Sequence, residues 1–432
     1  MVLNKRYMIT MKRSCSCSMP GVWRAVAHNE GAVVIYHSPK ACGHVTREMD
    51  LGGHYHALAR GTFVPKQYTA PLVTSNLQEE HSIFGGADQL RQCIEYVIER
   101  YKPLYIIIAN SCVAGVIGDD TPAIAQEAEA DFGIPVLTVP CSGFLDGEYH
   151  AGFYYTAKIL AERFMQRQPA SANTVTLLGD RGGPHGADAK EMTALLSSFG
   201  LQVQGRFPGY ATLEQMKRVP ASALCIPLGG RPQSYDWMRR LAVDLEERFG
   251  IPFLDHDFPV GWTGTKAWLR QLGAMLGREQ EALQVEDEQA QRLVAAAAKC
   301  RCALEGSQVV LGIGRPLIHL QPGWVLELLT LAGVTPAKIL LFKGLTGEQK
   351  TALRQELEKH TITPIVDETE GEVLMHTSDV VVTTHELEDD ALRQFYLPVL
   401  PPLGVGGMIE LWNKLGQLAK RPGGQGGVQY GW

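Results

Sequence analysis

No apolar run in this chain approaches the roughly 18 residues that a membrane-spanning helix needs. Its most hydrophobic stretches, such as IIIAN and VVVTT, have the length of strands. The opening MVLNKRYMITMKRSCSCSMPG carries charge but no apolar core followed by a small-residue cleavage site, so it does not read as a signal peptide. A cytoplasmic protein without membrane contact is expected. Charge of one sign is not in excess either. Charged residues make up 20% of the chain and the net charge is -6, which supplies neither a basic surface for nucleic acid nor an acidic disordered tail. The nine cysteines, an odd number scattered over 432 residues, suit free thiols and metal ligands better than a disulfide framework.

A chain of this length exceeds what one hydrophobic core organises, and three domains are expected. Short β-branched runs alternate with amphipathic stretches, the pattern of an α/β protein whose parallel sheets are flanked by helices. In 1–170, AVVIYHS, LYIIIANSC and IPVLTVPC read as strands, with ADQLRQCIEYVIERY and TPAIAQEAEADFG as helices. A second unit, 171–277, contains strands TVTLLGD, LQVQGRF, ALCIPLG and IPFLDHD and helices AKEMTALLSSFG and SYDWMRRLAVDLEERFG. The segment 278–302 has helical propensity and opens a third unit, 278–420, with strands SQVVLGIG, AKILLFKG and DVVVTTH. The Gly-rich end, 421–432, reads as an extended tail ordered only by a partner.

Cys17, Cys42 and Cys112 stand out by context: CSMPG, HSPKACGH and NSCVAGVIGDD place them at strand ends or in turns. Thiolates hold iron-sulfur clusters, and a cluster bridging two chains needs only a few from each. Each thiol also has a plainer reading as a small buried residue. Cys93, in an amphipathic stretch, reads as core, and Cys300 and Cys302 as structural. Asp119 or Asp120 is placed to cap the helix containing Ala123 and Ala125. Gly312 and Gly314 lack the third glycine of a dinucleotide fingerprint. His54 and His56 do not share a helical face and have no acidic third ligand spaced for zinc. No GxxxxGKS or GxxxxGKT is present, so any ATP used is hydrolysed by a partner.

Four stretches together resemble the nitrogenase component 1 superfamily: SNLQEEHSIFGGADQLRQCIEYVIERYKPLYIIIANSCVAGVIGDD, FGIPVLTVPCSGFLDGEYHAGF, MRRLAVDLEERFGIPFLD and LEGSQVVLGIGRP. The resemblance implies three Rossmann-like domains and pairing with a homologous subunit in an α2β2 heterotetramer. It implies that Cys17, Cys42 and Cys112 join three partner cysteines around an interfacial iron-sulfur cluster of P-cluster type, 4Fe-4S or 8Fe-7S. An ATP-hydrolysing 4Fe-4S iron protein would dock above it. A second, complex iron-sulfur cofactor in an interdomain cavity is left open.

The departures narrow the function. Where the catalytic nitrogenase subunit carries a glutamine and then a histidine beside its cofactor, this chain has Tyr149 and Phe153, with His150 nearby. An ungapped match puts Ser234 at the cofactor cysteine; Cys225 matches only with an insertion. No histidine follows His385, so the cofactor's histidine anchor has no counterpart. Tyr149, His150 and Phe153, with Trp262, are expected to line the cavity, and Arg315, His185 or Cys225 to hold a cofactor there. An apolar cavity suits a neutral small molecule. Within the family, the reading is a reductase acting on the C-S bond of a methylthio compound. The alternatives are a scaffold for nitrogenase cofactor assembly and a tetrapyrrole reductase subunit.

Overall fold

The computed structural model describes residues 17–59, 68–145, 148–179, 181, 183–229, 233–314, 322–398, 401–422 and 425–431, with backbone alone at 52–59 and 233–235. Three parallel sheets are built along the chain, each covered by helices.

The first sheet has β1 (Ala32–His37), β2 (Leu72–Thr74), β3 (Tyr105–Asn110) and β4 (Val136–Ser142) in the order β2-β1-β3-β4. All six residues of β1 and the first five of β3 are buried, as expected of strands covered on both faces. Around it lie α1 (Ser18–Val26), α2 (Lys40–Ala59), α3 (His81–Phe84), α4 (Ala87–Tyr101), α5 (Cys112–Ile117), α6 (Thr121–Phe132) and α7 (Tyr149–Phe164). In α4 the buried residues are Leu90, Cys93, Ile94 and Val97, one stripe at helical spacing. The Asp120 side chain caps α6 by accepting the Ala123 N–H at 3.1 Å, while Asp119 turns elsewhere.

The second sheet is β5 (Ser171–Leu178), β6 (Gln202–Phe207) and β7 (Ser222–Pro227), ordered β6-β5-β7, with α8 (Ala187–Ser197), α9 (Leu213–Arg218) and α10 (Gln233–Phe249). Its core merges with that of the first domain, where Leu160 and Met165 of one share a cluster with Phe207, Cys225 and Leu241 of the other. IPFLDHD, expected as a strand, contributes only a single bridge from Phe253 to Cys225; its run of polar residues ends the pairing. Two helices follow, α11 (Gly261–Leu276) and α12 (Glu279–Leu304). The buried stripe of α12 begins in the second-domain core with Ala282 and Val285 and ends in the third-domain core with Leu293, Ala297, Cys300 and Leu304.

The third sheet has β8 (Val309–Ile313), β9 (Ile339–Leu341), β10 (Ile365–Asp367), β11 (Val380–Thr383), β12 (Arg393–Tyr396) and β13 (Gly427–Tyr430). Their order, β10-β9-β8-β11-β12-β13, is the doubly wound arrangement with its switch point between β8 and β11. The helices are α13 (Gly323–Leu331), α14 (Gly347–Glu358), α15 (Glu368–Thr377) and α16 (Gly404–Ala419). The supposed tail is therefore corrected: Gly427 to Tyr430 pair in register with Arg393 to Tyr396 and need no partner chain. The Tyr430 hydroxyl also donates to Glu386 at 2.8 Å. Gly312 and Gly314 serve packing, since a Cβ at either would strike the ring of Phe342 or His385. Among the described residues no helix is long and apolar enough to cross a membrane.

Candidate functional site

Three separate segments deliver the thiols of Cys17, Cys42 and Cys112 to one face of the first domain. Cys17 occupies the extended position before α1, and the Ser18 N–H and hydroxyl both reach the Gly143 carbonyl at 3.2 Å. Gly143 has φ +58°, and a Cβ there would lie 2.7 Å from the Cys112 nitrogen. The turn after β4 thus bridges the start of α1 and the start of α5 only because it carries no side chain. A second close approach sets α1 itself: a Cβ on Gly21 would run into the Tyr149 carbonyl, and one on Gly152 into the Ser18 carbonyl.

Cys42 sits in the first turn of α2, a helix where the Gly- and His-containing sequence reads as loop. The Tyr36 hydroxyl, fully buried, donates to the Met19 carbonyl at 2.5 Å and lies 3.3 Å from the Thr46 hydroxyl, which itself bonds the Cys42 carbonyl at 3.2 Å. Tyr36 therefore pins the Cys17 helix to the Cys42 helix. Cys112 follows Ser111, whose hydroxyl caps α5 by accepting the Ala114 N–H at 3.2 Å.

All three cysteines are half-buried. Burial pushes the Cys17 thiol up, the Met19 N–H draws it back in part, and the neighbouring Cys42 and Cys112 raise it further. Cys42 is raised by burial, lowered by the Ser38 hydroxyl and raised again by Cys112. These sulfurs feel one another's charge, so deprotonating them together calls for a positive centre between them. Among the described residues no three His, Cys, Asp or Glu side chains converge on a single ion. Three half-exposed thiols have the donor chemistry that iron-sulfur clusters use.

The remaining expected residues that the structure describes lie on separate elements. Tyr149 and His150 lie in the first turn of α7, half-buried, with rings 5.3 Å apart and edge-on. The Tyr149 carbonyl packs against Gly21 of α1, the helix that Cys17 precedes. Phe153 is 4% exposed in an apolar cluster with Ala25, Met238 and Trp237. Trp262 packs against the third-domain core, its backbone N–H donating to Glu327 at 2.9 Å. Cys225, expected as a ligand, is fully buried inside β7, and burial pushes its thiol to about 12; it is a core residue. His185 lies exposed in the turn before α8. Arg315 lies outside the described residues, as do the side chains of His54, His56 and Ser234.

Around Cys112 the surface is apolar. Phe84 is 86% exposed, Ile83 and Val116 each 77%, and Phe144 and Leu145 are exposed beside them. Spacing alone does not reveal this collar, because the apolar residues come from α3, α5 and the turn after β4. Sequence reasoning also missed His37 and the part taken by Asp119. The one available signal was the paired Asp119-Asp120, where a single carboxylate suffices for the cap.

Residues 17–420 match the nitrogenase component 1 type oxidoreductases. The chain belongs to that family. Among its members, the nitrogenase molybdenum-iron protein alpha chain of Acidithiobacillus ferridurans is 29% identical over 317 residues, covering 70% of this chain and 60% of the relative. The nitrogenase iron-molybdenum cofactor biosynthesis protein NifE of Clostridium pasteurianum is 28% identical over 211 residues, covering 48% of this chain and 44% of the relative. The chain thus spans about half the length of these component 1 relatives. A solved structure described as nitrogenase Cp1 at pH 6.5 superposes with a TM-score of 0.65 at 17% identity, covering 95% of this chain and 89% of that one. The component 1 fold is therefore common to both.

Proposed function

We propose that this chain is one subunit of a nitrogenase-like iron-sulfur reductase. The observation that carries this reading is that Cys17, Cys42 and Cys112 are half-buried and near enough to feel one another's charge, with Ile83, Phe84 and Val116 exposed on the adjoining α3 and α5. Together with a homologous subunit, the three cysteines would hold an interfacial cluster of P-cluster type, 4Fe-4S or 8Fe-7S, which supplies one-electron storage between donor and acceptor. The Met19 N–H lowers the cost of the Cys17 thiolate, as a donor beside a ligand sulfur does. The apolar collar suits docking of two partners: the companion subunit of an α2β2 heterotetramer and an ATP-hydrolysing 4Fe-4S iron protein. The substrate is a small molecule, most simply a methylthio compound whose C-S bond is cleaved with equal numbers of electrons and protons.

A second reading, a scaffold on which a nitrogenase cofactor matures, is favoured by the similarity to NifE and by the burial of Cys225, which removes one cavity ligand. Iron, acid-labile sulfide and EPR of the anaerobic complex, with turnover of a methylthio substrate under ATP and iron protein, separate the two. The reductase turns over; the scaffold releases a cluster to an acceptor instead. Cys42→Ala and Cys112→Ala are each expected to lose cluster iron and weaken subunit pairing. Full iron content in both variants overturns the ligand assignment.

A further inference from the structure

Between the thiol-bearing turns runs a buried polar chain that the reading above leaves without a role. Asp119, its side chain 6% exposed, accepts the Gly86 N–H on both carboxylate oxygens, at 2.9 and 3.0 Å. Its Oδ2 lies 2.9 Å from Nε2 of His37, the fully buried last residue of β1. On the other side of the ring, His37 Nδ1 is 2.9 Å from the Ser75 hydroxyl, which accepts the Ser38 N–H at 3.1 Å. One proton arrangement satisfies every group. The carboxylate can only accept, so Nε2 carries the hydrogen, and the Ser75 hydroxyl donates to Nδ1.

From His37 the chain branches towards both sulfurs. The His37 carbonyl accepts the Ser111 N–H at 3.1 Å and the Ser111 hydroxyl at 3.0 Å, immediately before Cys112. Ser38, the next residue, donates its hydroxyl to the Pro39 carbonyl at 3.0 Å, and that carbonyl also accepts the Cys42 N–H at 3.2 Å. Gly86 follows α3, which exposes Ile83 and Phe84. Glycine is required at 86 for the chain to close, because a Cβ there would lie 2.8 Å from Asp119 Oδ2 and 3.0 Å from the His37 ring. One carboxylate therefore holds the turn after α3 directly and both sulfur-bearing turns through a single histidine.

We propose that Asp119 is a positioning residue that fixes the turns of Cys42 and Cys112 relative to each other and to α3. The inference rests on the reading of these two cysteines as cluster ligands. Asp119 touches no sulfur; it acts through His37, whose backbone and ring hold the two turns in register.

The test uses Asp119→Asn in the complex with its partner chain, with Asp120→Ala as the control that loses only the α6 cap. The amide that replaces the carboxylate would still accept the Gly86 N–H but would leave its own N–H donors unpaired in the buried chain. The expected result is a shifted cluster midpoint potential and an altered EPR line shape, or loss of cluster iron, in Asp119→Asn and not in Asp120→Ala. Unchanged potential, line shape and iron content overturn the proposal. If the native complex itself holds no cluster iron, the ligand reading has failed, and hydrogen exchange on the chain then decides the positioning role. Asp119→Asn should speed amide exchange several-fold in both 38–46 and 111–117. Acceleration confined to 84–90 and 117–121 overturns it. Should Asp119→Asn fail to fold, Ser75→Ala, which removes the donor to Nδ1 and the acceptor of the Ser38 N–H, is read by the same measures and the same outcomes.

Discussion

Cys93 and Cys225 carry the same side chain as Cys17 and Cys42, yet their surroundings separate them. Burial alone pushes each of the first pair to about 12, and Cys300 to about 11. The second pair feel burial, nearby donors and other sulfurs. Because alkylation needs the thiolate, a rise from 9.0 to about 12 removes roughly a thousandfold of the reactive form at neutral pH. In the metal-free chain, iodoacetamide is expected to label exposed Cys302 first, Cys17 and Cys42 more slowly, and Cys93 and Cys225 only after unfolding. Peptide mass spectra over a time course check this order; early labelling of Cys225 contradicts its place in the core. A second residue-scale prediction concerns Gly152, where even a methyl group meets the Ser18 backbone. Gly152→Ala should cost about 1–3 kcal/mol of stability by overpacking and, by displacing α1, reduce iron at Cys17. Thermal melts and iron analysis measure the two effects.

Elements with a strong period were legible from the sequence, and those fixed by distant partners were not. The stripe of α4 and the buried runs of β1 and β3 declare themselves within a single window. α2 carries Gly43, Gly52 and Gly53 within it, which argues against a helix locally, while the buried Gly43 and Thr46 and the Arg47 bond to the Leu72 carbonyl at 2.7 Å anchor it. β13 has the composition of a linker, and only its pairing with β12 makes it a strand. The site divides in the same way. Its cysteines are visible as residue types in turn contexts, whereas the contacts of His37 span 38 and 82 residues. Removing residues 425–432 should expose the edge of β12 and strip Arg421 of its contacts with the Gly426 and Val428 carbonyls. The truncated chain is expected to melt lower and to aggregate in light-scattering assays; an unchanged melt would mean the strand contributes nothing to the sheet.

At the scale of the molecule, the second domain caps a helix of the third. Asp188 and Glu191 of α8 accept the N–H groups of Leu403 and Gly406 at 2.9 and 2.8 Å, where the first turn of α16 has no acidic residue of its own. Arg181 pairs with Asp188, lies over Phe258 at 3.6 Å and donates to the Pro401 carbonyl, adding a second tie across the same seam. Glu191→Ala leaves the Gly406 N–H without its acceptor and should cost about 1–3 kcal/mol. The loss is expected to concentrate at the seam, as faster proteolysis near 398–404 with the first domain intact; uniform cleavage would place the effect elsewhere.

The helix α12 has a mechanical consequence. With 26 residues at about 1.5 Å each it is a beam of about 39 Å, clamped at one end in the second-domain core and at the other in the third. A hinge between those two domains would have to bend the beam or tear one clamp loose. The second and third domains of this chain are therefore expected to move together as one stiff body.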